Sequence, residues 1–121
     1  MTLPPKAQQV DSWCREMPGA TVDNTFGHET NVHRVGDRIF ALVNLEPGTY
    51  ITLKTLPEEG EALRARYDSV RPGYYMNKRH WITVDLVPEA PMGEVRELIH
   101  ESYRLVFESL PKKRRAELRP E

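Results

Sequence analysis

One cysteine in 121 residues, Cys14, excludes an intramolecular disulfide framework and suits a reducing compartment, so a cytoplasmic protein is expected. No apolar stretch nears the roughly 20 residues that a membrane span requires. The opening Met1-Thr2-Leu3-Pro4-Pro5-Lys6 turns polar before any signal-peptide-like run can form. An excess of one charge is also missing, since 17 Lys and Arg against 18 Asp and Glu give a net −1. A protein that wraps nucleic acid over its whole surface is usually basic, so any polyanion here must be met by a local patch. The four histidines and one cysteine show no metal-ligand spacing. His28 and His33 stand five apart in a turn-strand segment, not four apart on a helix, and read with Glu29 as polar hairpin residues. Ser109-Leu110-Pro111-Lys112 imitates the Ser-x-x-Lys nucleophile pattern, but Pro111 breaks the turn that the chemistry needs. No glycine-rich loop leads into a helix to cradle a nucleotide. No metal, no cofactor, no membrane partner and no catalysis are expected.

The apolar content, 39%, suffices for one core, so residues 1–121 read as a single domain with a basic tail at 111–121. Thr2 is a possible N-cap before Pro4 and Pro5, and Leu3, Ala7, Val10, Cys14 and Met17 then form one stripe of a first helix. On that stripe Cys14 reads as a buried, inert thiol. Pro18-Gly19 stops the helix. Short β-type runs follow at 22–26, 30–35, 38–44 and 50–55, with turns at Gly36-Asp37 and Glu46-Pro47-Gly48-Thr49, which is an antiparallel meander. Ile51 and Leu53 alternate with Thr52 and Lys54, predicting a sheet with one wet face. Pro57-Glu58-Glu59 opens a second helix that Arg64 and Arg66 close. Residues 70–79 are polar and broken by Pro72-Gly73, and read as a loop. A strand at 80–86 should turn Ile82, Val84 and Leu86 to the helices, and Trp81 and Thr83 away from them. Val95, Leu98, Ile99, Ser102, Val106, Phe107 and Leu110 stripe a long helix from about 93 to 110, with Phe107 at its centre. The order α-ββββ-α-β-α predicts an α+β fold, one antiparallel sheet with helices packed on one face.

Charge is unevenly spread along this order. Residues 1–70 hold seven basic and ten acidic groups, whereas residues 71–121 hold ten and eight. Residues 69–84 contain no carboxylate but include Arg71, Lys78, Arg79 and His80. Arginine and lysine meet phosphates, asparagine and histidine can also reach base edges, and aromatic rings can stack on bases or wedge a groove. Residues 71–81 thus read either as a nucleic-acid contact or as a sheet covering, in which Tyr74, Tyr75 and Trp81 pack on the sheet and Lys78 and Arg79 solvate the turn. In the first reading the candidate contacts to duplex DNA are Lys54, Arg71, Tyr75, Asn77, Lys78, Arg79 and His80. Four cations, Lys54, Arg71, Lys78 and Arg79, would give a salt slope of about −3.6, so binding should be weak and strongly salt-dependent. The alternative is a protein- or small-ligand-binding module in which exposed Trp81, Tyr75 and Lys54 form a pocket on the open sheet face. A monomer is expected in either case. Leu110-Pro111-Lys112-Lys113-Arg114-Arg115 reads as a nuclear-import signal, as a phosphate-binding tail, or as a basic helix C-terminus that offsets a helix dipole.

The sequence resembles the MmcQ/YjbR family. Pro18-Gly19-Ala20-Thr21, Phe26-Gly27, Arg38-Ile39-Phe40-Ala41, Leu53-Lys54 and the run Pro72-Gly73-Tyr74-Tyr75-Met76-Asn77-Lys78-Arg79-His80-Trp81-Ile82 occur in that family's order. Ser102-Tyr103-Arg104-Leu105-Val106 and Leu110-Pro111-Lys112-Lys113 complete the pattern, which covers residues 10 to 116. The resemblance implies a CyaY-like fold and a double-wing DNA-binding role, with loops of the sheet as wings. Arg38 stands where the family more often has lysine. Frataxin-type iron proteins share the fold and use an acidic ridge on the first helix. Here that helix carries only Asp11 and Glu16, so the iron role does not transfer.

Overall fold

The computed structural model describes residues 5–45, 49–73 and 77–118. Its order is α1 (Pro5–Arg15), β1 (Thr21–Asp23), β2 (Thr30–Val35), β3 (Arg38–Asn44), β4 (Tyr50–Lys54), α2 (Pro57–Arg66), β5 (Val70–Pro72), β6 (Trp81–Asp85), α3 (Met92–Ser109) and α4 (Lys112–Leu118). The six strands form one antiparallel sheet, β1-β2-β3-β4-β6-β5. The predicted α+β order is thus present, with β5 and α4 added to it. Thr2 and Leu3 of the first-helix reading, and residues 46–48 of the second turn, lie outside the described residues.

Strand alternation places His33, Ala41, Val43, Ile51, Leu53, Ile82 and Val84 on the helix-facing side, where all are fully buried. Leu86 joins the same core, as predicted for this strand. Val10 and Cys14 of α1, Leu63 of α2, and Val95, Leu98, Ile99 and Val106 of α3 cover them. Burial pushes the Cys14 thiol pKa up, which keeps it protonated and inert. The β2–β3 register shifts between His33 and Arg34, and the extra residue on β3, Phe40, turns its ring into the core. Ser102 of α3 secures this bulge: its hydroxyl donates to Phe40 O (2.6 Å) and accepts from the Lys54 N–H (2.8 Å).

Five expectations need correction. β1 stops at Asp23, because the Asp23 carboxylate accepts from both the N–H and the hydroxyl of Thr25, closing a turn. Phe26 is consequently exposed. The predicted loop begins with a strand, β5, because at a sheet edge Pro72 costs no ladder hydrogen bond. The face away from the helices is not wet at its middle: Val32, Thr52 and Thr83 are fully buried there, and the two threonine hydroxyls bond each other at 3.0 Å. Larger residues flank that pair along the same face, with Trp81 and Asp85 on either side of Thr83. Phe107 is only partly buried; it stacks on Tyr103 at the rim, and Val106 takes the central position. Finally, His33 is not a polar hairpin residue but lies fully buried.

The Gly36-Asp37 turn follows the prediction. Both residues have positive φ, 56° and 69°, as a two-residue hairpin turn requires. A side chain at Gly36 would also stand 2.6 Å from Leu110 Cδ1, so the end of α3 is seated directly on this turn.

Candidate nucleic-acid interface

The strands' directions bring several turns to one end of the sheet. β2 ends and β3 begins there at Gly36-Asp37, β4 ends at Lys54, β5 ends at Pro72 and β6 begins at Trp81. Gly73 closes the β5–β6 hairpin, its N–H donating to Trp81 O at 2.8 Å. A β-carbon on Gly73 would lie 2.5 Å from Trp81 Cβ and 2.9 Å from the Trp81 backbone, so only glycine fits this approach. At the tip, Asn77 Oδ1 accepts the Arg79 N–H (2.9 Å) and Asn77 O accepts the His80 N–H (3.1 Å). Asparagine is suited to a turn built on its own side chain. The outcome is a short turn carrying Lys78 and Arg79, both exposed. The Thr55 N–H donates to His80 O (2.8 Å), and Lys54 stands opposite Trp81, so the end of β4 is laced to the base of this tip.

Lys54, Asn77, Lys78, Arg79 and half-buried His80 therefore share one end of the sheet. Among the described residues, no acidic side chain lies within ion-pair distance of Lys54, Lys78 or Arg79. Arg71 differs. It sits in β5 opposite Thr83 and grips Asp85 with two hydrogen bonds, 2.7 and 2.8 Å, while its guanidinium lies over the Tyr50 ring. The acid-free run of sequence hid this partner, which the neighbouring strand supplies. Tyr75 lies outside the described residues. Trp81, expected to be exposed in the ligand-pocket alternative, is only 8% exposed and serves the sheet instead. Asn77 is engaged in forming the turn, beyond its expected role as a base contact.

Sequence reading missed a second polar cluster. Asp11 of α1 is buried and accepts from His33 Nε2 (2.8 Å), Asn31 Nδ2 (2.9 Å) and Arg15 Nε (2.7 Å). Burial, the largest single influence, would raise the Asp11 pKa. The hydrogen bonds from His33, Arg15 and Asn31 together outweigh it and hold the carboxyl well below the usual range. An anionic acceptor fixes the proton of His33 on Nε2. Its Nδ1 is buried and has no hydrogen-bond partner among the described residues. The ring is fully shielded from solvent, so this pair ties α1 to β2 and offers no site to a substrate. Two signals pointed to it: His33 falls between Asn31 and Val35 in the core register, and Asp11 lies four residues after Ala7 and three before Cys14.

At the opposite end of the sheet, an open cleft of about 640 Å³ is lined by residues that include Arg66, Tyr67, Asp68, Asp85 and Glu89. Its carboxylates make it acidic, the reverse of the hairpin end. No group of three or more His, Cys, Asp or Glu side chains suited to a metal occurs among the described residues. No helix there is long and apolar enough to cross a membrane.

Known proteins resemble the chain over nearly its whole length. It is 36% identical over 106 residues to the uncharacterized protein YbdF of Escherichia coli O157:H7, covering 87% of each chain. It is 34% identical over 104 residues to the uncharacterized protein YjbR of Escherichia coli K12, covering 85% of this chain and 88% of that one. The crystal structure of the Deinococcus radiodurans protein DR2400, a DUF419 domain, superposes with a TM-score of 0.85 at 35% identity, over 97% of this chain and 91% of that one. A Pseudomonas syringae protein follows with a TM-score of 0.69 at 28% identity, over 82% of this chain and 97% of that one. Residues 15–105 match the YjbR family itself, and with these relatives the match shows that the chain belongs to the YjbR family.

Proposed function

We propose that this protein is a non-catalytic, cytoplasmic DNA-binding domain that meets duplex phosphates with the turn at residues 77–80 and Lys54. The observation that carries the reading is the Asn77 turn, which holds exposed Lys78 and Arg79 beside Lys54 with no acid in ion-pair range among the described residues. Phosphate contacts of this kind position a protein on the backbone without reading sequence. Arg71 leaves the count because Asp85 already neutralises it. Three cations remain, so the tip contributes a slope of about −2.7 to log K against log salt. A fourfold rise in salt then weakens the tip's share of binding about 40-fold. Replacing Lys78 and Arg79 together by alanine should flatten the measured slope by about 1.8 and weaken binding alike for unrelated sequences. Fluorescence anisotropy of a labelled duplex across a salt series measures both quantities. An unchanged slope in the double variant would remove the tip from the interface.

A further inference from the structure

The hairpin reading leaves the most basic segment of the chain unused. Lys112, Lys113, Arg114 and Arg115 do not extend α3. Pro111 ends that helix, and these four residues open a separate one, α4. Cations in a first turn face the positive end of the helix dipole, so they do not stabilise α4. Nor does the end of α3 need them, because Arg38 Nη1 already donates to Ser109 O (2.8 Å) and to the Ser109 hydroxyl (3.0 Å). The basic run therefore opens α4 instead of closing α3, whose end Arg38 already meets.

α4 is nevertheless held in a defined place. Leu118 packs against Gly19, where a β-carbon would lie 3.3 Å from Leu118 Cδ2. Leu110, just before α4, is seated on Gly36, and Arg114 reaches Asp37 of the same turn at 3.8 Å. Arg114 is further engaged by Glu117. Lys112 and Lys113 are exposed, and no acid lies within ion-pair range of either among the described residues. The segment is thus fixed beside the β2–β3 turn, at the same end of the sheet as the turn at residues 77–80.

We infer that Lys112 and Lys113 form a second phosphate contact, so that the protein grips one duplex at two places; this rests on the DNA-binding reading above. The β2–β3 turn and the β5–β6 hairpin are three strand spacings apart in the sheet order, about 14 Å. A major groove is about 12 Å wide, so a duplex laid across this end of the sheet can offer one phosphate row to each of these two turns. The two lysines raise the number of free cations facing the duplex from three to five. The full protein then shows a slope of about −4.5 instead of −2.7.

The test uses the full chain and one labelled duplex across a salt series. Four forms are compared: the native protein, Lys112→Ala/Lys113→Ala, Lys78→Ala/Arg79→Ala, and a charge-matched control, Lys6→Ala/Arg66→Ala, whose Arg66 lies at the acidic cleft. Lys112→Ala/Lys113→Ala should flatten the slope by about 1.8, as the hairpin pair does, and the control should leave it near the native value. Both lysines are exposed, so an unchanged thermal melt excludes unfolding as the cause. If the hairpin pair flattens the slope and the α4 pair does not, the second contact is wrong and the hairpin reading stands. If the α4 pair alone flattens it, α4 is the contact, and both the hairpin reading and the two-place grip are wrong. Equal flattening by the control would reduce both effects to net charge and overturn the proposal. Absence of native binding at low salt overturns both.

Discussion

Asp11→Ala removes the acceptor on which three side chains of α1 and β2 converge. Arg15 is half exposed and will find water. His33 cannot, since its ring is fully buried and its other nitrogen already lacks a hydrogen-bond partner among the described residues. The variant therefore buries an imidazole with neither nitrogen satisfied. Breaking a buried, hydrogen-bonded pair from one side costs about 3–5 kcal/mol. Escape of Arg15 to solvent puts this case near the lower bound, about 3 kcal/mol. With a urea m-value of about 1.5 kcal/mol/M, the unfolding midpoint falls by about 2 M. The carboxylate also sets an acid limit. Its folded pKa lies below its ordinary 3.8, so the folded state holds fewer protons than the unfolded chain as pH falls. Its contribution is complete above the ordinary value and disappears as pH drops toward the folded one. Native protein should thus lose more stability than Asp11→Asn between about pH 5 and about pH 3. Asp23, whose pKa is lowered to about 2 by hydrogen bonds from the Thr25 hydroxyl and N–H and from Arg34, keeps a residual acid dependence in the variant. A midpoint shift for Asp11→Ala below about 0.5 M would refute the lock.

Phe40→Ala should cost about 3–5 kcal/mol, because that ring is fully buried at the β3 bulge, whereas half-buried Phe107→Ala should cost about 1–2 kcal/mol. Paired urea melts rank the two, and a larger loss at Phe107 would mean that the core is centred elsewhere. Gly73→Ala should displace the hairpin tip, since the added methyl meets the Trp81 backbone at 2.9 Å. Amide exchange at Trp81 and His80 should quicken by at least an order of magnitude, about the effect of 1.4 kcal/mol. Unchanged exchange would show that the hairpin is not closed by this contact.

Local periodicity made most of this fold legible. The alternation of Ile82, Val84 and Leu86 and the stripe of α3 each follow from burying one face, and both elements lie as the sequence suggests. What escaped depended on partners distant in the chain. Asp85 pairs with Arg71 only because β5 lies against β6, and β5 itself was hidden by a proline that an edge strand tolerates. His33 read as polar because its acceptor comes from a helix 22 residues away. Phe107 fell on the correct stripe, but a helical stripe does not reveal where the sheet beneath it ends. For the candidate site, the sequence groups the basic residues of one segment, but it could not separate unpaired cations from one already neutralised by Asp85. The β2–β3 register and the direction of β4 put Lys54 beside the tip, and neither is encoded within the 71–81 segment.

Chemical-shift mapping with a short duplex tests the central claim most directly, because it locates the contact residue by residue without altering the protein. The backbone amides of Lys54, Thr55 and residues 77–81 should shift progressively on titration at low salt, and the shifts should collapse when salt is raised. Amides around the acidic cleft, from Arg66 to Ser69 and from Val87 to Ala90, should stay fixed. Shifts confined to the cleft, or none near residues 77–81 at saturating duplex, would contradict the assignment of the basic end of the sheet as the DNA-binding surface.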